Sequence, residues 1–430
     1  MWVSIDIPAD MPAGEYPVSI EISLGTPEDT ATVTYTVSVH SVALPKQEML
    51  FTQWFHCDCI ADAHGVPVFS EEHWSLIEKY MSLAAKHGMN MILTPVLTPA
   101  LDTAVGAERP TVQLVGVTLE NGTYAFDFTL LERFVELAHS VGIDNFEISH
   151  FFTQWGAEFC PKVMATVDGE YKRIFGWDTD ATSKEYIGFL NEFIPAVKEK
   201  LDEYGYKGRY FFHVSDEPSA KHLESYKAAR NAVWPLVSDH AVRDALSHYE
   251  FYEQGIISSP IPTVKAADEF VAHNVPDLWV YCCCSPGSVC TNRFIAMSAN
   301  RTRVLGAQMY HQGSVGFLHW GYNFYYNQYS LDPVDPFTNT DGDFFAPAGD
   351  TFLVYPGADG KPLLSLRAVL THQAMLDMRA MALAEEKAGR AAVLAAIEQA
   401  GITDYKHYST DPQALLALRE RINRLAAGTC

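Results

Sequence analysis

The chain has 430 residues, with 53 Asp and Glu against 30 Lys and Arg and a formal net charge of −23. A surface of that sign repels phosphate backbones and anionic lipid, and no segment approaches the run of about 18 apolar residues that spans a bilayer, so we expect neither a nucleic-acid nor a membrane partner. Hydrophobic residues make up 48% and aromatic residues 12% of the chain, which allows a large core and excludes a disordered protein.

The N-terminal segment predicts β-structure. Residues 2–41 contain the runs WVSIDI, EYPVSIEISL and TATVTYTVSVHSV, in which β-branched residues recur at period two between turn residues. Three strands are too few for a stable sandwich, so they indicate the C-terminal part of an antiparallel, sandwich-like β-domain over residues 1–45. The first residues lack the basic and apolar regions of a secretory leader. The expectation is a cytoplasmic protein, although a trimmed form would begin in the same way.

After residue 46, strands alternate with amphipathic helices. In chain order, the predicted strands are MLFTQWF, MNMILTPVL, NFEISHFF, RYFFHVS, VRDALSHY, DLWVYCCC, GFLHWG and TFLVYPG. Nearly continuous apolar strands are typical of a parallel sheet that is buried on both faces. Eight strand–helix units predict an α/β fold, a (β/α)8 TIM barrel, over residues 46–385. A doubly wound sheet is the competitor, but no G-x-G-x-x-G follows the first strand. Residues 386–430 are rich in Ala, Leu and Arg and predict a small helical extension.

The eight cysteines do not have the spacing of a small disulfide framework, so we expect free thiols. Cys282, Cys283 and Cys284 follow the run DLWVY and are expected to act as small apolar residues at a strand end. The segment HCDC, residues 56–59, raises the question of a metal site. Structural zinc pairs usually have C-x2-C spacing rather than C-x-C or C-C-C. We therefore expect no metal and no cofactor.

In a (β/α)8 barrel the active site lies at the C-terminal ends of the strands. These positions in the chain carry aromatic, histidine and short polar residues. Such a mixture suits a sugar, because rings stack on its C–H faces while its hydroxyls need hydrogen-bond partners. We therefore expect a carbohydrate-binding cleft. The candidate substrate-binding residues are His56, His150, Trp155, Asp244, Trp279, Tyr281, His319, Trp320, Tyr322 and Asn323.

The predicted strand YFFHVS runs directly into Asp216, Glu217 and Pro218. One interpretation is a helix start, because Ser215 or Asp216 could be the N-cap and proline is favoured in a first turn. The other is glycoside cleavage. In substrate-assisted hydrolysis the nucleophile is the carbonyl oxygen of the sugar's own 2-acetamido group. One acid then protonates the leaving oxygen and a second orients the amide. Because both act near C1 and C2, sequence neighbours can serve.

At these residues the sequence resembles glycoside hydrolase family 123. The motif HVSDEP and the later segments GFLHWGYNFY, GDTFLVYPG and SLR carry the resemblance, which covers about residues 48–385. It implies a retaining β-N-acetylgalactosaminidase with a β-domain ahead of a (β/α)8 barrel. By the same resemblance, Asp216 would orient the acetamido group and Glu217 would be the general acid/base.

Two other functions fit the same residues. Glu217 could pair with a distant carboxylate, such as Asp58, Glu147 or Asp244, in a glycosidase for sugars without a 2-acetamido group. The barrel could also bind carbohydrate without cleaving it, since a fold alone does not fix an activity. The preferred hypothesis is an exo-hydrolase that releases a terminal β-linked N-acetylhexosamine, with GalNAc preferred, from a glycan or glycoside. The sequence leaves the oligomeric state open.

Overall fold

The computed structural model describes residues 2–8, 10–23, 25, 29–103, 105–106, 108–285, 287 and 289–429. In chain order, its strands and α-helices are β1 (Gly14–Ser23), β2 (Thr30–Val39), β3 (Leu50–Gln53), α1 (Cys57–His64), α2 (Glu71–Lys86), β4 (Met91–Thr94), β5 (Gly116–Glu120), β6 (Thr123–Asp127), α3 (Thr129–Ser140), β7 (Asn145–Ile148), β8 (Val163–Val167), β9 (Glu170–Phe175), α4 (Lys184–Glu203), β10 (Tyr210–Phe212), α5 (Leu223–Val237), β11 (Arg243–Ala245), α6 (Glu250–Glu253), β12 (Ser259–Ile261), α7 (Ala267–Ala272), β13 (Trp279–Cys282), α8 (Ala299–Arg303), α9 (Leu305–Gln312), β14 (Gly316–His319), β15 (Val354–Pro356), β16 (Pro362–Leu364), α10 (Leu366–Ala388), α11 (Arg390–Gln399) and α12 (Pro412–Ala427).

Eight short strands lie parallel to one another at the centre of the molecule. They form three ladders, in the orders β10–β7–β4, β11–β12 and β13–β14–β3. A parallel bridge between Phe212 and Val242 connects the first ladder to the second, and one between Thr263 and Tyr281 connects the second to the third. The Asn90 N–H also donates to the Phe51 carbonyl at 3.2 Å, between β4 and β3. Hydrogen bonds therefore connect these eight strands in chain order, although the ladders are interrupted at those three positions.

The side chains that point between these strands form one apolar cluster. Its members come from β4, β10, β11, β12, β13 and β14 and include Leu93, Phe211, Ile261, Trp279 and Leu318. Gly316 is required at the start of β14, because a Cβ there would lie 2.1 Å from the Trp279 ring. Large apolar side chains thus fill the space between the strands, and polar groups collect beyond the strand ends.

One of the eight predicted strands differs from the structure, and one strand of the parallel set was not predicted. The segment TFLVYPG forms β15, which pairs antiparallel with β16 rather than joining the parallel strands. The place in the parallel set belongs to β12, which sequence reasoning missed because Pro260 and Pro262 make its surroundings look like a loop. A four-stranded sheet in the order β6–β5–β8–β9 was also not predicted.

The N-terminal segment is a two-stranded hairpin in the described part of the chain. Strands β1 and β2 pair antiparallel from Gly14–Val39 to Ser23–Thr30. The prediction of a third strand at WVSIDI is wrong: its apolar side chains Trp2, Val3 and Ile5 are exposed, and residues 2–8 are in no ladder. Alternation alone therefore predicted a strand that no pairing partner stabilises.

The C-terminal helices have a core of their own. Val393 and Ile397 of α11 pack with Leu415 and Ile422 of α12 against the second half of α10. Because α10 is continuous from Leu366 to Ala388, the chain passes into this layer without a break at the expected boundary of 385/386. No helix in the described residues combines the length and apolar character that a bilayer crossing requires.

Candidate active site

A cavity lies beyond the C-terminal ends of the parallel strands, with a few polar groups set among apolar and aromatic walls, as is usual for small-molecule sites. Its walls come from segments that follow different strands and are largely aromatic. The lining residues are Trp54, His56, Leu101, Asp102, Gln154, Trp155, Asp216, Glu217, Ala245, Tyr281, Cys283, Cys284, Leu318, Trp320, Phe324 and Phe345. Six of the sequence-predicted residues are therefore brought together: His56, Trp155, Asp216, Glu217, Tyr281 and Trp320.

The segment that carries the acid pair is held by its neighbours on both sides. The Val214 carbonyl accepts from Phe152 N–H at 3.1 Å, and the Asp216 carbonyl accepts from Trp155 N–H at 2.8 Å. On the other side, the Glu217 N–H donates to the Ala245 carbonyl at 2.9 Å. These bonds fix the backbone of the two acids between the loop after β7 and the end of β11.

The helix-cap interpretation of the acid pair is wrong. The next helical turn spans Ala220–His222, and its N-cap is Ser219, whose side chain accepts from the backbone of His222. Helix α5 begins only at Leu223. Asp216 and Glu217 precede this cap, and both line the cavity as half-buried side chains.

The two acids experience different surroundings. Glu217 Oε1 accepts a hydrogen bond of 2.5 Å from the Tyr281 hydroxyl. Burial, followed by the neighbouring Glu217 carboxylate, raises the pKa of Asp216 well above its usual range. In the described part of the chain, no Lys or Arg lines the cavity to offset these charges. Near neutral pH these surroundings favour the protonated form of Asp216.

Backbone strain is concentrated around the cavity. Four residues other than glycine in this region, Asp102, Trp155, Glu217 and Tyr329, have φ values of 48°, 58°, 44° and 62°. Such left-handed conformations cost of order 1–3 kcal/mol each and persist where the surrounding structure enforces them, often at functional sites. The positions of the cavity side chains are therefore set by the fold at an energetic cost.

His213 lies beneath the acid pair between two buried carboxylates. Its Nε2 is 3.1 Å from Glu147 Oε2 and its Nδ1 is 3.3 Å from Asp244 Oδ1. Burial alone would lower its pKa, but the hydrogen bonds to Asp244 and Glu147 raise the pKa of His213 to about 9. At neutral pH both ring nitrogens therefore donate, and His213 is a cation. Asp244 also accepts from the backbone N–H of Val214, at 2.9 Å, which connects this cation to the strand that leads to the acid pair.

A metal at this position would compete with that ion pair. The ligand atoms of His150, His213 and Asp244 lie within 4.8 Å of one another, which is close enough to hold an ion. In the protonated state described above, His213 has no nitrogen lone pair to offer. The donor set therefore does not fit a metal without loss of the His213 proton.

A second buried ion pair lies on another side of the cavity. Arg109 Nε and Nη2 donate to the two oxygens of Asp58 at 2.5 and 2.7 Å, and Nη2 is 3.1 Å from His56 Nδ1. Burial, and then the Arg109 charge, lowers the pKa of His56 to about 3, so His56 is neutral. The guanidinium also lies 5.3 Å from the centroids of the Phe324 and Tyr326 rings. This arrangement presents one face of His56 to the cavity and buries the charges behind it.

Six predicted binding residues do not line the cavity, because each is buried and contacts other protein groups. Asp244 is part of the His213 network, and His150 stacks on His213 with ring centroids 4.2 Å apart. Trp279 packs on Phe211 in the apolar cluster between the strands. The other three, which end or follow β14, are His319, Tyr322 and Asn323.

Four candidate binding residues end or follow β14, and only Trp320 among them lines the cavity. His319 Nε2 donates to Asp350 Oδ1 at 3.1 Å. Trp320 Nε1 donates to the other Asp350 oxygen at 2.9 Å, and the Trp320 ring lines the cavity. Tyr322 stacks on Phe55. Asn323 uses its amide to bond both the N–H and the carbonyl of His56, at 2.9 Å each. Asn323 thereby positions His56 rather than contacting a ligand.

Sequence reasoning missed several of the lining residues. Asp102 and Gln154 lie in the segments TPALDT and SHFFTQW, which follow predicted strands and therefore carried a positional signal. Cys283 and Cys284 were expected to be small apolar residues at a strand end, but both line the cavity, and Cys284 is exposed. The seven described cysteines are free thiols, and Cys430 lies outside the described residues.

Comparisons with known proteins agree with this fold. The model of the glycoside hydrolase 123 catalytic domain matches residues 54–384. The chain therefore belongs to glycoside hydrolase family 123, and this membership indicates a glycosidase that acts on glycan substrates. No curated protein matches the chain.

Among solved structures, a family 123 glycoside hydrolase from Clostridium perfringens matches with a TM-score of 0.73 and 15% identity, over 99% of this chain and 77% of that one. That structure is described in terms of glycolipid glycan hydrolysis. A β-galactosidase from Bacillus circulans sp. alkalophilus has a TM-score of 0.45 and 8% identity, over 78% of this chain and 56% of that one. At 15% identity the first match supports the fold alone. The TM-score of the second match is too low to support an inference.

Proposed function

We propose that this protein is a retaining exo-glycosidase that releases a terminal β-linked N-acetylhexosamine, GalNAc by preference, through substrate-assisted catalysis. The observation that carries the proposal is the position of Asp216 and Glu217, neighbours in sequence, in one aromatic-lined cavity at the strand ends. Trp54, Trp155, Trp320 and Phe324 give that cavity the apolar faces on which a sugar ring stacks.

The proposed reaction has two steps. First, the acetamido carbonyl oxygen attacks C1 while Glu217 gives its proton to the glycosidic oxygen, so that the aglycone leaves and an oxazolinium ion forms. Asp216 accepts a hydrogen bond from the amide N–H and stabilises the positive charge. In the second step Glu217 takes a proton from water, which attacks C1 and reopens the ring. Two inversions at C1 leave the β configuration unchanged.

Substrate binding would also determine which carboxyl of the acid pair, Asp216 or Glu217, holds a proton. In the empty cavity burial, and then the Glu217 carboxylate, raises the pKa of Asp216 and favours its protonated form. An amide N–H pointing at Asp216 reverses this preference, because it favours the ionised form of that carboxyl. The proton of Asp216 is then released to Glu217, where the reaction needs it. A substrate without a 2-acetamido group would not produce this shift.

We also propose that the eight parallel strands form a (β/α)8 barrel over residues 46–385, between a β-domain at 1–45 and a helical extension at 386–430. The chain-ordered hydrogen bonds between the strands and the apolar cluster between them support the barrel. A cavity at the C-terminal strand ends is where this fold has its active sites.

Matched variants test the two roles. Glu217→Gln and Asp216→Asn are each expected to lower kcat on an aryl β-N-acetylgalactosaminide by about 10²–10⁴-fold. The loss in Glu217→Gln should increase as the leaving group becomes more basic, whereas that in Asp216→Asn should not depend on the leaving group. Glu120→Gln, an exposed acid on β5, is the control. Unchanged turnover in either cavity variant would refute the proposal.

A second candidate is a two-carboxylate glycosidase, because a third carboxyl, Asp102, also lines the cavity. The partners first considered do not reach it: Asp58 is paired with Arg109, and Glu147 and Asp244 flank His213. This function predicts turnover of aryl galactosides or glucosides without the acetamido group. A thiazoline that mimics the oxazoline should then fail to inhibit, whereas the leading proposal requires inhibition.

A further inference from the structure

The cavity contains a third acid whose surroundings differ from those of the pair. Asp102 follows β4, and only 8% of its surface is exposed. Burial raises the pKa of its carboxyl to about 7, although Arg109 acts in the opposite direction. The side chain therefore contributes a carboxyl to the cavity wall that is costly to bury.

The backbone of Asp102 is held from several directions. Its N–H donates to Gln154 Oε1, and its carbonyl accepts from Ser330 Oγ at 2.8 Å. On either side, the Leu101 carbonyl accepts from Arg109 Nη1 and the Thr103 carbonyl accepts from Gln154 Nε2, both at 3.4 Å. These bonds hold residue 102 at a φ of 48°. The position of the carboxyl is therefore fixed before any ligand arrives.

The carboxyl itself is only partly satisfied. The Tyr329 backbone N–H donates to it, but Oδ2 is buried with no hydrogen-bond partner among the described residues. A buried acceptor without a partner costs about 1–3 kcal/mol. Because Asp102 lines the cavity and a loop fixed by so many bonds holds its carboxyl there, the structure indicates a carboxyl whose missing partner is a ligand.

We propose that Asp102 binds a hydroxyl of the sugar and thereby selects the sugar that enters the cavity. The inference rests on the proposed function, since it assumes that the cavity holds a sugar ring. The Asp102 carboxyl accepts the O–H of a free ring or exocyclic hydroxyl, and Gln154 and Ser330 are positioning residues that hold the loop. A sugar whose hydroxyl is removed or substituted at that position leaves the oxygen unpaired and is rejected.

A double-mutant cycle between protein and substrate tests this role. Wild type and Asp102→Asn are assayed on an aryl N-acetylgalactosaminide and on its 3-, 4- and 6-deoxy forms. Asp102→Asn should lower kcat/KM on the parent sugar by about 10- to 100-fold, mainly through KM. For the wild type, one of the deoxy sugars should lower kcat/KM by a similar factor relative to the parent sugar. For Asp102→Asn, the same deoxy sugar should lower kcat/KM much less. Asp168→Asn is the control, because Asp168 has nearly the same φ, 49°, in an exposed hairpin turn.

The other outcomes overturn the proposal. An equal loss on all four substrates would mean that Asp102 is structural or is the second carboxylate of a two-acid reaction. A change of less than twofold on all four would mean that it contacts no hydroxyl. If Asp102→Asn does not fold, the wild-type protein alone still tests the proposal. Equal kcat/KM values on the parent sugar and on all three deoxy sugars would exclude the contact.

A binding measurement separates this inference from the proposed function. Calorimetric titration of Glu217→Gln with GalNAc and its deoxy forms reports on Asp102 without any turnover. Loss of affinity for one deoxy sugar would support the hydroxyl contact even if the acid pair had another role. Equal affinity for all of them would overturn the contact even if hydrolysis were established.

Discussion

Two groups of buried charge border the same cavity and differ in how they are balanced. The closed cluster consists of His56, Asp58 and Arg109, in which both Asp58 oxygens are bonded to one guanidinium and the side chains of the ion pair are 2% exposed. The open cluster consists of Asp102, Asp216 and Glu217, three acids with no Lys or Arg among the described lining residues. The acid of the closed cluster is matched by a cation, whereas in the open cluster one carboxyl oxygen, Asp102 Oδ2, has no donor among the described residues.

This difference in charge balance distinguishes residues that stabilise the cavity wall from residues that are proposed to take part in the reaction. Balanced charges in the closed cluster fix the wall of the cavity, since Arg109 also bonds the Leu101 carbonyl and borders Phe324. In the open cluster burial, and then the neighbouring Glu217 carboxylate, raises the pKa of Asp216. We therefore expect changes in the closed cluster to lower stability, and changes in the open cluster to lower activity without that loss.

The largest stability effect is expected for Arg109→Met. The change leaves the Asp58 carboxylate buried without a partner, which typically costs about 3–5 kcal/mol. The free energy of unfolding by urea measures the loss. Asp58→Asn in the same chain should restore part of it, because the uncompensated charge is then removed.

Arg133→Met is the matched control for this prediction. Arg133 makes two bonds of 2.7 Å to Glu71 and lies over the Trp74 ring, but its pair is exposed. Exposed pairs contribute about 0.2–1 kcal/mol. If Arg109→Met cost no more than Arg133→Met, the closed cluster would not be the support that we describe.

A smaller, pH-dependent effect is expected for His213, the cation that lies under the open cluster. Its folded pKa of about 9 exceeds the ordinary value of 6.5, so the native state binds its proton more tightly than the unfolded state. The resulting stabilisation, at most about 3 kcal/mol, is complete below pH 6.5, declines between pH 6.5 and 9, and is absent above pH 9. Urea unfolding at several pH values measures this slope.

The neighbours of His213 determine how the experiment is controlled. Glu147 of β7 and Asp244 of β11 bond it, His150 stacks on it, and Asp216 acts on it through space. His213→Gln should remove the decline between pH 6.5 and 9. His139→Gln, which changes an exposed histidine bonded to Asp144, should leave the decline in place. A His213→Gln protein with the wild-type slope would show that another group is responsible.

The sequence predicted the open cluster better than the closed one. An apolar run that ends in two acids signals a strand end, and both Asp216 and Glu217 line the cavity at that end. His56 and His150 carried the same signal, but only tertiary contacts decide that His56 lines the cavity while His150 stacks on His213. Local pattern identifies the strand end, and not the direction of each side chain beyond it.

Asp102 shows why the rest could not be predicted. Its burial depends on bonds to Gln154 and Ser330, which are 52 and 228 residues away along the chain. Strand β12 was missed for a similar reason, because pairing with β11 makes Ser259–Ile261 a strand despite its proline. The family resemblance, in contrast, depended on local motifs and is confirmed by the match over residues 54–384.

The smallest expected effect distinguishes the two clusters most directly. Asp216→Asn removes a carboxyl whose pKa is raised by burial and by Glu217. It is expected to increase the free energy of unfolding by about 0.5–2 kcal/mol at pH 7 while it lowers kcat by about 10²–10⁴-fold. The folded pKa of Asp216 lies above its ordinary value of 3.8. Its carboxyl therefore destabilises the native state only above about pH 3.8, where the same carboxyl ionises freely in the unfolded chain. The gain should therefore vanish near pH 3, where the carboxyl is protonated in both states. Asp58→Asn, the same change in the closed cluster, should lower stability at pH 7. If Asp216→Asn lowered stability as well, the acids of the open cluster would be held by contacts as complete as those of Asp58.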